Sequence, residues 1–207
     1  GFLSVIDIGQ QNWGRVFVWM AMAILVDAFD GYIARGAQVR RILPNFDGTL
    51  LDNMVDYLNY VFVPAYFLYA AGLLPAPLEL ALPIVVLLAS AYQFSQSDAK
   101  TDDHYFKGFP SYWNIVIFYM FMLNLDPWVN ALILFALSVM VFVPIKYVYP
   151  SRSNILPRLT IGLGLIWMIV NIVIWARYPS QPPWLVWVSL SYPAYYYCLS
   201  FYAMYRL

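Results

Sequence analysis

Of 207 residues, 63% are hydrophobic, 19% aromatic and only 11% charged, whereas soluble domains carry about 25% charged residues. That much apolar surface exceeds what one soluble core of this size hides, so lipid is the expected solvent. A net charge of zero excludes a basic nucleic-acid footprint, and a single cysteine, Cys198, excludes an internal disulfide framework.

In chain order, the sequence opens on Gly1-Phe2-Leu3 in apolar surroundings without an initiator methionine. This is expected if a first membrane helix begins outside the sequence. Apolar stretches long enough to span a bilayer, or nearly so, follow at 13–35, 50–72, 78–96, 111–125, 127–149, 159–176 and 184–204. Turn chemistry separates them, as at Arg41-Ile42-Leu43-Pro44-Asn45, Leu74-Pro75-Ala76-Pro77, Asp126-Pro127 and Pro179-Ser180-Gln181-Pro182-Pro183. No strand alternation and no internal repeat is evident. An all-α integral membrane protein is therefore expected, because backbone amides in lipid need partners within the segment. Cys198 reads as a packing residue.

The basic residues orient these spans. Arg35, Arg40, Arg41, Lys100, Lys107, Lys146, Arg152, Arg158 and Arg206 fall on the side of the 36–49 loop, and only Arg15 and Arg177 on the other. The positive-inside rule makes the 36–49 loop cytoplasmic.

Four acids sit where a membrane disfavours them: Asp27 and Asp30 toward the end of one span, Asp52 and Asp56 at the start of the next. The first pair is spaced i, i+3 and the second i, i+4, so each pair shares a helix face. A short hairpin joins the two helices and lets those faces meet. Four converging carboxylates repel one another, and the helix C-terminus near Asp27 and Asp30 also disfavours negative charge. An all-oxygen, carboxylate-rich ligand set points to Mg²⁺ or Mn²⁺, with room for two ions.

The residues around these acids are specific. Asp27-Ala28-Phe29-Asp30-Gly31-Tyr32-Ile33-Ala34-Arg35 is followed after twelve residues by Gly48-Thr49-Leu50-Leu51-Asp52-Asn53-Met54-Val55-Asp56. This resembles the signature of the CDP-alcohol phosphotransferase family at all eight of its positions. The twelve-residue spacer is longer than the family's usual one of about eight. It is similar to that of the bacterial branch whose members join choline to the phosphatidyl group of CDP-diacylglycerol. Phe46-Asp47-Gly48, Tyr60-Val61-Phe62-Val63-Pro64-Ala65, Lys100-Thr101-Asp102-Asp103-His104 and Gly108-Phe109-Pro110-Ser111-Tyr112-Trp113-Asn114 resemble that branch too. The resemblance implies one transmembrane domain over 1–207 with its catalytic signature at 27–56. It also implies eight spans, of which seven are visible here, and a homodimer in the bacterial inner membrane with its active site facing the cytoplasm.

It further implies that Asp27, Asp30, Asp52 and Asp56 hold the metal ions and that Asp56 is the general base for the choline hydroxyl. Gly31, Ala34, Arg35 and Gly48 would receive the cytidine and diphosphate, small residues letting a ligand approach the backbone. A choline cation calls for aromatic faces, and Tyr60, Tyr112 and Trp113 are the expected cage. His104 reads as a loop residue near the mouth of the site rather than a zinc ligand. Lys107 suits either phosphate or solvent. Two rival functions remain at this level. One is a sister enzyme that uses serine as acceptor. The other is an ion-coupled transporter, which the absence of an internal repeat disfavours.

Overall fold

A computed structural model describes residues 1–37, 42–43, 45–96, 105–148 and 155–206, with the side chains of Tyr32, Arg35, Tyr205 and Arg206 outside the description. The chain begins with α1 (Phe2–Gly9) and α2 (Trp13–Gly36). A single continuous helical rod then comprises α3 (Gly48–Tyr57), a π-helical turn (Leu58–Phe62) and α4 (Val63–Ala70). After a 3₁₀ turn (Ala76–Leu78) come α5 (Ala81–Ser95), α6 (Trp113–Leu123), α7 (Pro127–Met140), α8 (Pro157–Ala176), α9 (Pro183–Ser189) and α10 (Ser191–Arg206).

Local chemistry sets these boundaries. Asp47 caps α3 by accepting from the Leu50 amide at 3.0 Å, and Asp126 caps α7 through the Trp128 amide at 2.8 Å. Pro127, Pro157 and Pro183 occupy first-turn positions, where the missing N–H costs nothing. Asn124 ends α6 in the left-handed conformation, φ 48°.

The helical expectation holds with one correction. Tyr105–Lys107 (β1) and Lys146–Val148 (β2) pair as antiparallel strands, Tyr105 opposite Val148 and Lys107 opposite Lys146. Three-residue strands are too short to show alternation, and they lie beyond the helix ends. The expected span at 127–149 accordingly stops at Met140. The expected span at 184–204 is divided into α9 and α10.

The core joins α1, α2, α4, α5, α6, α7, α8 and α9 through residues such as Val16, Phe17, Phe67, Val86, Trp113, Ile117, Leu134, Ile174 and Val186. It contains a ring cluster in which Phe67 meets Trp13, Phe17 and Phe121 at centroid distances of 5.2–5.4 Å. Polar side chains stitch helices together inside it. Trp113 Nε1 donates to Ser90 Oγ (2.7 Å), Trp167 Nε1 to the Tyr119 hydroxyl (2.8 Å), Trp175 Nε1 to the Gly14 carbonyl (2.9 Å) and Asn130 Nδ2 to the Leu73 carbonyl (2.9 Å). Bonds of this kind between elements are the glue available where both solvent and core are apolar. A second core packs Tyr105, Tyr147 and Val148 against Tyr196, Leu199 and Ala203 of α10. Burial there pushes the Tyr147 phenol up, so it stays neutral at ordinary pH.

Large apolar side chains also cover much of the described outer surface. On α8 only Thr160 and Ile174 are buried, while Leu165, Ile166, Ile169 and Ile172 are all more than half exposed. A helix apolar all round, with so little of it covered, is one solvated by lipid. Ala76–Ser95 and Pro157–Ala176, each 20 residues, are long and apolar enough to cross a bilayer, and Trp113–Leu123 and Pro127–Met140 are shorter apolar helices. Cys198 is exposed, not packed as the sequence suggested.

Gly108 joins β1 to the segment before α6. Its φ of +80° is left-handed, its amide donates to the Ile145 carbonyl at 2.9 Å, and a Cβ there would overlap the Val141 carbonyl oxygen. Gly108→Ala is expected to destabilise the fold by about 3 kcal/mol, from left-handed strain plus overpacking, read as a lowered unfolding midpoint in detergent.

Candidate active site

The hairpin of α2 and α3 places the signature acids opposite one another. Asp27 from α2 and Asp52 and Asp56 from α3 each offer a carboxylate oxygen, and these three atoms lie within 4.8 Å of one another. All three residues are half-buried. At this spacing each pair of unit charges repels by roughly 3 kcal/mol at an effective dielectric near 20. Donors that are all carboxylate oxygens at this separation fit a hard divalent cation.

Asp30 is exposed and outside the trio, but lines the same cleft. The cleft has a volume of about 310 Å³. Asp27, Asp30, Asp56, Asn59 and Tyr60 line it together with Trp19, Ala23 and Val26, with Gly1, and with Phe2 and Leu3 of α1. Its walls therefore combine carboxylates with apolar side chains, the mixture usual in small-molecule sites.

The residues read as nucleotide-binding belong to the same hairpin. Gly31 is half-buried, Ala34 is exposed, and Gly48 opens α3 with nothing within 4 Å of where a Cβ would stand. The Arg35 side chain, and the loop from Lys100 to His104, lie outside the described residues.

The three residues read as a choline cage are not brought together as one. The Tyr60 hydroxyl donates to Asp27 Oδ2 at 2.9 Å, so it addresses the acids directly. Tyr112 is half-buried, meets Phe106 edge-on at 6.3 Å and is within electrostatic reach of Tyr60. Trp113 departs from the expectation. It has no exposed surface, its indole is bonded to Ser90, and its ring packs edge-on against Phe109 at 5.1 Å, leaving no face for a cation.

Sequence reasoning passed over Asp7, which is only 2% exposed. It accepts from Trp19 Nε1 at 2.6 Å and from Asn12 Nδ2 at 3.3 Å, and pairs with Arg15 at 3.4 Å. This knot ties α1 to α2 and fixes Trp19 at the cleft wall. A lone acid inside Val5-Ile6-Asp7-Ile8 was the available signal, overshadowed by the four signature acids.

The CDP-alcohol phosphatidyltransferase family model matches residues 1–144. The chain belongs to that family. Among curated relatives, it is 44% identical over 212 residues to a phosphatidylcholine synthase of Legionella bozemanae, covering 99% of this chain and 98% of the relative. It is 42% identical to one from Legionella pneumophila, covering 99% and 83%. A third, from Rhizobium meliloti, is 32% identical, covering 97% and 83%. No solved structure gives a significant match.

Asp7→Ala removes the acceptor shared by Trp19, Asn12 and Arg15. The expected cost is about 1–3 kcal/mol, with faster amide exchange in α1 measured by hydrogen–deuterium exchange in detergent.

Proposed function

We propose that this chain transfers the phosphatidyl group of CDP-diacylglycerol to choline, giving phosphatidylcholine and CMP. The observation that carries the reading is the convergence of Asp27, Asp52 and Asp56 beside a cleft lined by both acidic and apolar side chains. The named relatives support the choice of choline as acceptor.

Asp27, Asp52 and Asp56, with Asp30 at the rim, are the residues that would hold Mn²⁺ or Mg²⁺, as two ions. Bound there, divalent cations supply charge neutralisation for the diphosphate and the departing phosphate. Asp56 takes the proton of the choline hydroxyl as its oxygen bonds to the lipid-bearing phosphorus. The bond from that phosphorus to the CMP oxygen breaks, and CMP leaves as the phosphate anion. Gly31, Ala34 and Gly48 leave backbone open for the cytidine and diphosphate, with Arg35 as the cationic partner. The apolar walls from Val26, Ala23 and Leu3 receive the lipid side. Tyr112 remains the aromatic face for the trimethylammonium group.

The charge asymmetry of the loops supports a multi-pass arrangement of seven spans within one domain over 1–207. It also supports a site facing the cytoplasm at the bacterial inner membrane.

Purified protein with labelled choline and CDP-diacylglycerol is expected to yield phosphatidylcholine and CMP, with chelator abolishing both. Asp56→Asn should lower turnover by about 10²–10⁴-fold. Product formed with serine but not choline would move the assignment to a sister enzyme of the family. CMP released without a choline-containing lipid would refute the acceptor half.

A further inference from the structure

The hydroxyl of Tyr60 has a partner that a cage residue would not need. Tyr60 lies in the π-helical turn Leu58–Phe62, which begins two residues after Asp56. Single π turns widen a helix, disturb its hydrogen-bond ladder and recur at functional sites. Here the side-chain amide of Asn59 donates to the Val55 carbonyl at 3.0 Å, anchoring the turn beside the cleft that Asn59 and Tyr60 both line. From this turn Tyr60 reaches across to α2 and donates to Asp27 Oδ2 at 2.9 Å. Asp56 is also within electrostatic reach of the phenol. One side chain thus joins the helix carrying Asp52 and Asp56 to the acid contributed by the other helix.

A carboxylate has two oxygens and about four acceptor directions. A phenol on Oδ2 fixes the torsion of the group and leaves the other oxygen, and the second lone pair of Oδ2, for a cation. A donor aimed at the one member of the trio that comes from α2 also lowers the repulsion that would swing Asp27 away. Partners of this kind orient metal-ligating groups, and their loss weakens metal affinity. We propose that Tyr60 is a positioning residue, holding the Asp27 carboxylate against Asp52 and Asp56 so that the trio stays arranged for divalent-cation binding. The inference rests on the reading that this cluster holds the cations used in phosphatidyl transfer, and it replaces the cage role the sequence suggested for Tyr60.

The test uses the full chain in detergent and Mn²⁺ as the probe, with binding followed by electron paramagnetic resonance independently of turnover. Tyr60→Phe keeps the ring and removes only the donor. It is expected to weaken Mn²⁺ binding about 10–100-fold, raising the Mn²⁺ needed for half-maximal activity while the choline KM changes by less than about twofold. Added to Asp27→Asn, the same substitution is expected to cause no further loss of Mn²⁺ affinity, because it acts through Asp27. Unchanged Mn²⁺ affinity in Tyr60→Phe, with only thermal stability reduced, would make the bond a structural tie and overturn the proposal. So would Tyr60→Ala raising the choline KM while leaving Mn²⁺ binding intact, which is the signature of a cage residue. An additional loss in the Asp27→Asn background would show that Tyr60 does not act through Asp27. If the wild type bound no Mn²⁺ and formed no phosphatidylcholine, the functional reading itself would fail. If the wild type bound and turned over normally and Tyr60→Phe matched it, only this inference would.

Discussion

Three carboxylates held within 4.8 Å of one another are the constraint around which the hairpin of α2 and α3 is organised. Like charges at that distance push their helices apart, so each helix needs anchoring elsewhere. For α2, the indole of Trp175 grips the Gly14 carbonyl at one end, and Trp19 is held by buried Asp7. For α3, Asp47 sets the first turn and Tyr57 donates to the Leu87 carbonyl of α5 at 3.0 Å. On α2 these bonds lie a few turns from Asp27, and on α3 they flank Asp52 and Asp56. The repulsion is therefore borne by the bundle, and the acidic edge stays open for ligand and cation.

The solvent explains why indoles and phenols carry so much of this work. Burying an apolar face against a neighbour gains little when the alternative is lipid, so packing alone cannot select one arrangement of helices. Directional bonds from Trp113, Trp167, Trp175 and Tyr119 supply that selection, each pairing with a hydroxyl or carbonyl on another element. The same logic places β1 and β2 beyond the helix ends, where a short ladder satisfies backbone groups while α10 packs Tyr196 and Leu199 against it.

Much of the candidate site was legible because spacing on adjacent helices is a local property. The i, i+4 relation of Asp52 and Asp56, and the short hairpin back to Asp27, bring these acids within reach of one another. Asp30 shows the limit of that argument. Its i, i+3 relation to Asp27 puts it on the same face, yet a rotation of the helix decides which of the two points at α3, and it is Asp27 that does. Trp113 shows the same limit from the other side. Its position just after a loop suggested an accessible ring, but the turn at Ser111, with φ 56°, aims the indole inward at Ser90.

The amino-acid sequence by itself determined the solvent, the helical class, the acidic hairpin and the oxygen-only chemistry it offers. All of these follow from composition and from residues near one another along the chain. Only the tertiary structure decided that Tyr60 addresses Asp27, that Asp7 locks α1 to α2, and that residues 105–107 and 146–148 pair as strands. These contacts join residues 33, 12 and about 40 positions apart, and helix rotation and packing, which no local pattern encodes, set which side chains meet.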